Sequence, residues 1–174
     1  LLGKYFALAL TLLAAICIGF GVCAGVLAWQ GGATEPAKLV LMAGLTLLLA
    51  LAMLSVGVLL STLARRTSVA TGSAVFLWLL FILVTDLGLM AGATAFDLSI
   101  ETLFALSLAS PLQVFKMWSL QAVDTSLDVL GPAGLFAQET YGPWLNYFFA
   151  ASMLAWIVFP LAAATAVFSR RSPV

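Results

Sequence analysis

An all-α, polytopic membrane fold, with four transmembrane helices and a helical pair at the outer face, is what this sequence predicts. Four uninterrupted apolar stretches, 5–29, 39–64, 69–91 and 144–168, occupy more than half of the 174 residues. At about 1.5 Å of rise per residue each is long enough to cross a hydrocarbon core about 30 Å thick. Composition agrees, because 64% of residues are hydrophobic and only 8% are charged. A soluble domain carries about 25% charged residues, so there is too little charge here to build a water-facing surface around a core.

Net charge is zero and says little; the placement of the charges says more. Lys4, Arg65, Arg66, Arg170 and Arg171 flank the stretches on one side, and Lys38 and Lys116 are the basic residues on the other. By the positive-inside rule this puts both ends and the Arg65-Arg66 turn in the cytoplasm, with the chain in a bacterial inner membrane. Trp29, Tyr141, Trp144 and Tyr147 at outer boundaries and Tyr5 at an inner one read as amphipathic anchors at headgroup level. Leu1 is not an initiator methionine and the first stretch has no charged n-region before it, so the sequence reads as the C-terminal part of a longer permease-like domain, 1–174.

Between the first two stretches, Gly31-Gly32 stops a helix and Pro36 precedes the next, which makes a tight outer hairpin. The Arg65 to Ser68 turn is tighter, with Thr67 or Ser68 placed to cap the third stretch. The connection 92–143 is too long for a structureless loop. Within it Leu98 to Leu108 is a short apolar segment, and Ser110-Pro111 reads as an N-cap followed by a proline at the first helical position. Leu112, Phe115, Trp118 and Ala122 then recur at helical spacing, with Lys116, Asp124 and Asp128 off that face. Neither segment is long enough to span, so the pair lies at or dips into the outer interface, ended by Gly131-Pro132-Ala133-Gly134. It serves either as a plug over the helix ends or as a docking surface or gate, in which case Asp97, Glu101, Lys116, Asp124 and Asp128 are the candidate contact residues.

Chemistry has little to work with. Histidine is absent, which removes the commonest general base and metal ligand. Cys17 and Cys23 are six apart on one helix, so they point about 120° apart and cannot chelate one ion together. The five methionines are scattered, as packing residues are. No set of residues for catalysis, cofactor binding or metal binding is expected. Asp86 is the ionisable residue inside an apolar stretch and hence the candidate for a pathway or gate, although it falls near the outer interface. Gly21 and Gly25 form a GxxxG pair, extended by Ala15 and Gly19, and are expected to pack helices within the bundle in preference to a dimer contact.

The order of parts is familiar: Leu1-Leu2-Gly3-Lys4-Tyr5 entering a span, a tight outer hairpin, an Arg-Arg turn, the run Leu77 to Leu87 containing Trp78 and Asp86, then Ser110-Pro111-Leu112-Gln113-Val114-Phe115-Lys116 and a terminal Arg170-Arg171. It resembles the last four of six spans of an ABC-2 type transporter permease, and within that family is most similar to the branch serving maturation of the copper centre of nitrous oxide reductase. That branch more often begins the second motif with Asn-Pro. The resemblance implies a homodimer of permease copies in membrane lipid, with ATP used by cytoplasmic ATPase subunits and Gly3 and Lys4 as the trailing edge of the region that couples to them. It also implies a periplasmic repeat protein and copper chaperones as partners. The alternatives are an ABC-2 exporter of lipid, glycan or drug, and a membrane assembly protein with no transport cycle.

Overall fold

The computed structural model describes residues 2–30, 36–64, 66–94, 100–122, 140 and 142–171. Six α-helices lie among them: α1 Leu2–Trp29, α2 Pro36–Leu63, α3 Thr67–Thr94, α4 Ile100–Leu108, α5 Pro111–Ala122 and α6 Leu145–Arg171, the last preceded by a 3-10 turn at Gly142–Trp144. Helices are the expected solution for such a chain, because in lipid each backbone N–H and C=O must be satisfied within the protein. Gly142 takes the positive φ that turns the chain into α6.

The expectation of four transmembrane helices plus an outer helical pair is corrected in both parts. Among the described residues three helices are long and apolar enough to cross a membrane: Leu2–Trp29, Pro36–Leu63 and Leu145–Ser169. Helix α3 is not among them; its apolar part within the described residues is Thr67–Leu83, 17 residues. The helix itself continues to Thr94, through Asp86.

The α4–α5 pair is not an outer covering either. Val114 and Met117 of α5 are fully buried against Leu145, Phe149 and Met153 of α6 and Phe104 of α4, and Leu49 near the middle of α2 packs on the same cluster. A helix lying across the outer ends would leave one side in water. This one contributes the centre of the core.

The buried face also differs from the one read from spacing. Leu112, Phe115 and Trp118 are half-buried, while Pro111, Gln113, Val114 and Met117 are buried, so the helix is rotated by roughly one residue. A segment with apolar residues nearly all round does not fix its own orientation; the sockets between α2 and α6 do.

Helix α2 is the hub, packed against α1, α3, α5 and, most extensively, α6. Helix α1 is the opposite case: it packs on α2 by a single half-buried stripe from Ala9 to Leu27, and its one fully buried residue is Tyr5. A side chain added at Gly19, Gly21 or Gly25 would meet nothing, so the small-residue stripe does not pack this bundle as expected. The outward Phe6, Val40, Phe76 and Phe159 are well exposed, as lipid-facing side chains should be. Trp29, at 91% exposure, together with Trp144 and Tyr147, stands at helix ends as anchors do, whereas Tyr5 is buried instead.

Phe149→Ala should destabilise the fold by about 3 kcal/mol, because the fully buried ring leaves a cavity beside Met117. Val40→Ala, on an exposed position, should change stability by less than about 0.5 kcal/mol. Unfolding titrations in mixed detergent micelles read both.

Candidate functional site

The site grows from a two-residue turn, Ala109 and Ser110, between α4 and α5. At that turn the Val114 N–H donates to the Ser110 carbonyl at 3.1 Å, closing the first turn of α5 around Pro111. Proline has no N–H to lose at that position, which is why the sequence starts a helix there. The turn is not at the periphery. The Leu108 carbonyl, the last of α4, accepts from Ser152 Oγ and from Trp156 Nε1 on α6, each at 3.4 Å.

Those two donors are four residues apart on one helix face, and Trp156 lies eleven residues beyond Leu145. The tip of the hairpin therefore sits about 16 Å along α6 from its start. The Trp156 ring also meets Phe81 of α3 edge-on, with centroids 5.5 Å apart. The tip is thus enclosed by elements from three parts of the chain.

Its chemistry is polar inside an apolar bundle. Ser107, Ser110 and Gln113 are buried, and Ser110 Oγ and Gln113 Oε1 have no hydrogen-bond partner. The expected N-cap at Ser110 is therefore half realised: its backbone carbonyl caps, its hydroxyl does not. On the α6 side Pro160, buried within the helix, withdraws the N–H that would otherwise bond the Trp156 carbonyl. An unpaired hydroxyl and an unpaired carboxamide oxygen thus lie close to one turn, and such groups are costly in a low-dielectric interior.

A second feature lies between α2 and α3, which double back on each other. Met53, Val56, Gly57 and Leu60 face Ala74, Leu77, Trp78 and Phe81 across an apolar cleft of about 190 Å³. A third lies at the start of α1. The Tyr5 hydroxyl donates to the Leu51 carbonyl of α2 at 3.3 Å and accepts from Ser55 Oγ at 3.1 Å.

Of the residues singled out from sequence, Gly3 and Lys4 are exposed at the start of α1, and Glu101 is exposed in the first turn of α4. Its negative charge suits a helix N-terminus. Lys116 is half-buried on α5. Asp86 lies in α3 about 28 Å from the helix start, with its side chain outside the described residues. Asp97, Asp124 and Asp128 also lie outside them. The structure brings none of these described candidates together.

What it does bring together was missed from sequence: Ser107, Gln113, Ser152 and Trp156 at the hairpin tip, and Ser55 with Tyr5. The available signal was the isolated hydroxyl inside an apolar run, at Ser55 and Ser152, which needs a partner once lipid surrounds it. Among the described residues no group of three His, Cys, Asp or Glu could hold a metal ion.

Because Ser110 Oγ is unpaired and buried, Ser110→Ala should leave stability unchanged or raise it by up to about 1 kcal/mol. Trp156→Phe removes a donor from the Leu108 carbonyl and should cost about 1 kcal/mol. Equilibrium unfolding in detergent separates the two, since a loss at Ser110→Ala would mean its hydroxyl is bonded.

Residues 1–172 match the model of a family described as ABC-2 family transporter protein. The chain is 31% identical, over 98% of its length, to a "Probable ABC transporter permease protein NosY" of Stutzerimonas stutzeri, and it spans 63% of that relative's length. By its match over nearly every residue, by its apolar helices and by its bundle, this chain belongs to the ABC-2 family of transporter permeases.

Proposed function

We propose that this chain is the membrane part of a transporter of the nitrous oxide reductase maturation type, in which ATP hydrolysis by a cytoplasmic partner displaces the α4–α5 hairpin from inside the bundle. The observation that carries the reading is the seat of the hairpin tip: the Leu108 carbonyl is held by Ser152 and Trp156 of α6, and α5 is packed on α2. A change in the spacing of α2 and α6 would have to move the tip. Output at the outer face is then either passage of a cargo or work on a periplasmic partner, namely a repeat protein that, with copper chaperones, serves the reductase. The lack of histidine and of paired cysteines favours a cargo or output other than copper moving through this chain.

In this reading Lys4, Arg65, Arg66, Arg170 and Arg171 face the cytoplasm. Gly3 and Lys4, exposed at the start of α1, sit at the trailing edge of the contact with the ATPase. Two copies form the permease, and the exposed Val75, Phe76, Trp78 and Leu79 of α3 give the second copy an apolar face nearest the two-fold axis. Asp86 lines the path or gate, and the 92–143 segment, with Asp97, Glu101, Lys116, Asp124 and Asp128, docks the periplasmic partner.

An exporter of lipid, glycan or drug is the second reading. The apolar cleft between α2 and α3 favours it, since its lining from Met53 to Phe81 suits an acyl chain or another amphiphile.

Gentle detergent purification of the tagged full-length protein should recover a cytoplasmic ATPase together with a periplasmic repeat protein. Recovery of the ATPase alone, with turnover stimulated by an amphiphile, would move the assignment to the exporter. In the recovered complex Asp86→Asn should lower ATP-dependent output at least about tenfold if the carboxylate lines the path. Unchanged assembly and output would remove Asp86 from the mechanism.

A further inference from the structure

Helix α1 is held to the rest of the protein in an uneven way. Along its apolar stretch it meets α2 only by a half-buried stripe, Ala9, Leu12, Ile16, Phe20, Ala24 and Leu27, and its one fully buried residue is Tyr5, in the first turn. There the phenol meets two oxygens of α2. Tyr5 Oη is 3.3 Å from the Leu51 carbonyl and 3.1 Å from Ser55 Oγ, and Ser55 Oγ is 2.9 Å from the same carbonyl. Ser55 is fully buried.

The proton count is informative. Three oxygens share two hydroxyl protons, since the carbonyl brings none. Either Ser55 donates to Tyr5 and Tyr5 to the carbonyl, or Tyr5 donates to Ser55 and Ser55 to the carbonyl. Both arrangements make two hydrogen bonds and keep both hydroxyls paired, so the cluster ties α1 to α2 whichever way its protons are placed.

From Ser55 the path onward is short. Leu49 lies six residues away on α2, about 9 Å along the axis, and packs on the Met117–Phe149 cluster that seats the hairpin. We propose that the Tyr5–Ser55–Leu51 cluster is the latch through which displacement of the chain entering α1 at Gly3 and Lys4 is delivered to α2, and by α2 to the α4–α5 hairpin. Tyr5 and Ser55 are positioning residues in this scheme. The proposal rests on the transporter reading, because that reading supplies the displacement.

The test uses the full-length permease with its ATPase in lipid nanodiscs, in a Cys17→Ala, Cys23→Ala background. A spin label on Ala105→Cys, at an exposed position of α4, reports the difference in hairpin mobility with and without ATP and vanadate. Tyr5→Phe keeps the ring and removes the hydroxyl. It should shrink that nucleotide-dependent difference by about threefold to tenfold, the range expected for one interhelical hydrogen bond in a membrane, while bound ATPase and its turnover stay unchanged. Ser55→Ala should do the same, and the double variant no more than either single one, since all three break one cluster. Ser55→Thr, which retains the hydroxyl, should keep the response.

A full response in Tyr5→Phe overturns the latch, as does a reduced response that merely follows loss of folded protein or bound ATPase, or additive losses in the double variant. A preparation with Tyr5 intact that binds no ATPase, or shows no nucleotide response, fails independently of the latch. That result overturns the transporter reading and the latch with it.

Discussion

Burial of Val114 and Met117 against Leu145, Phe149 and Met153 lets a helix of 12 residues sit among helices that are long enough to cross a bilayer. The rest follows from that contact. With α5 at the centre, the turn at Ala109 and Ser110 must lie inside the bundle, and its carbonyls and hydroxyls must find partners there or go without. Ser152 and Trp156 supply donors for one of them. Water would supply the others at a surface, but within the bundle the remaining acceptors at Ser110 and Gln113 have none. The core contact and the polar tip are therefore one feature, stabilised on its apolar side and strained on its polar one.

Arrangement around α2 follows the same logic. Dispersion and close fit, with no hydrophobic drive between helices, hold a bundle together in lipid. Helix α2 meets that condition on several sides, through Leu45, Ala52, Ser55 and Val56. Helix α1 meets it on one side, by a half-buried stripe from Ala9 to Leu27 and the buried Tyr5. The two helices have similar composition and equal length, 28 residues each, yet one is the hub and the other the rim.

That contrast shows what was legible in the sequence. The apolar lengths of α1, α2 and α6, the tight α2–α3 turn and the helix start at Pro111 could all be read, because each depends on local hydropathy or on a single backbone rule. The depth of the hairpin could not. A short apolar helix carries the same signature whether it rests on a surface or plugs a core, and spacing selected Phe115 and Trp118 as the buried face where the structure buries Val114 and Met117. Tyr5 failed for a related reason: a tyrosine at a helix end serves equally as a headgroup anchor or as an interhelical donor, and Ser55, fifty residues away, decides between them. Family membership was legible in the order of short motifs, which survives where the helix packing cannot be inferred.

The length of α1 and α2 has a further consequence. At 28 residues each they extend about 42 Å, against a hydrocarbon core about 30 Å thick. Mismatch of that size is relieved by tilt, by local thickening of the bilayer, or by carrying the helix ends into the headgroup layer. Helix α2 is fixed by neighbours, so its tilt is set by packing. Helix α1 rests on α2 by one half-buried stripe and leaves the rest of its surface to lipid, so acyl-chain length becomes a variable that acts on one helix of this protein more than on the others.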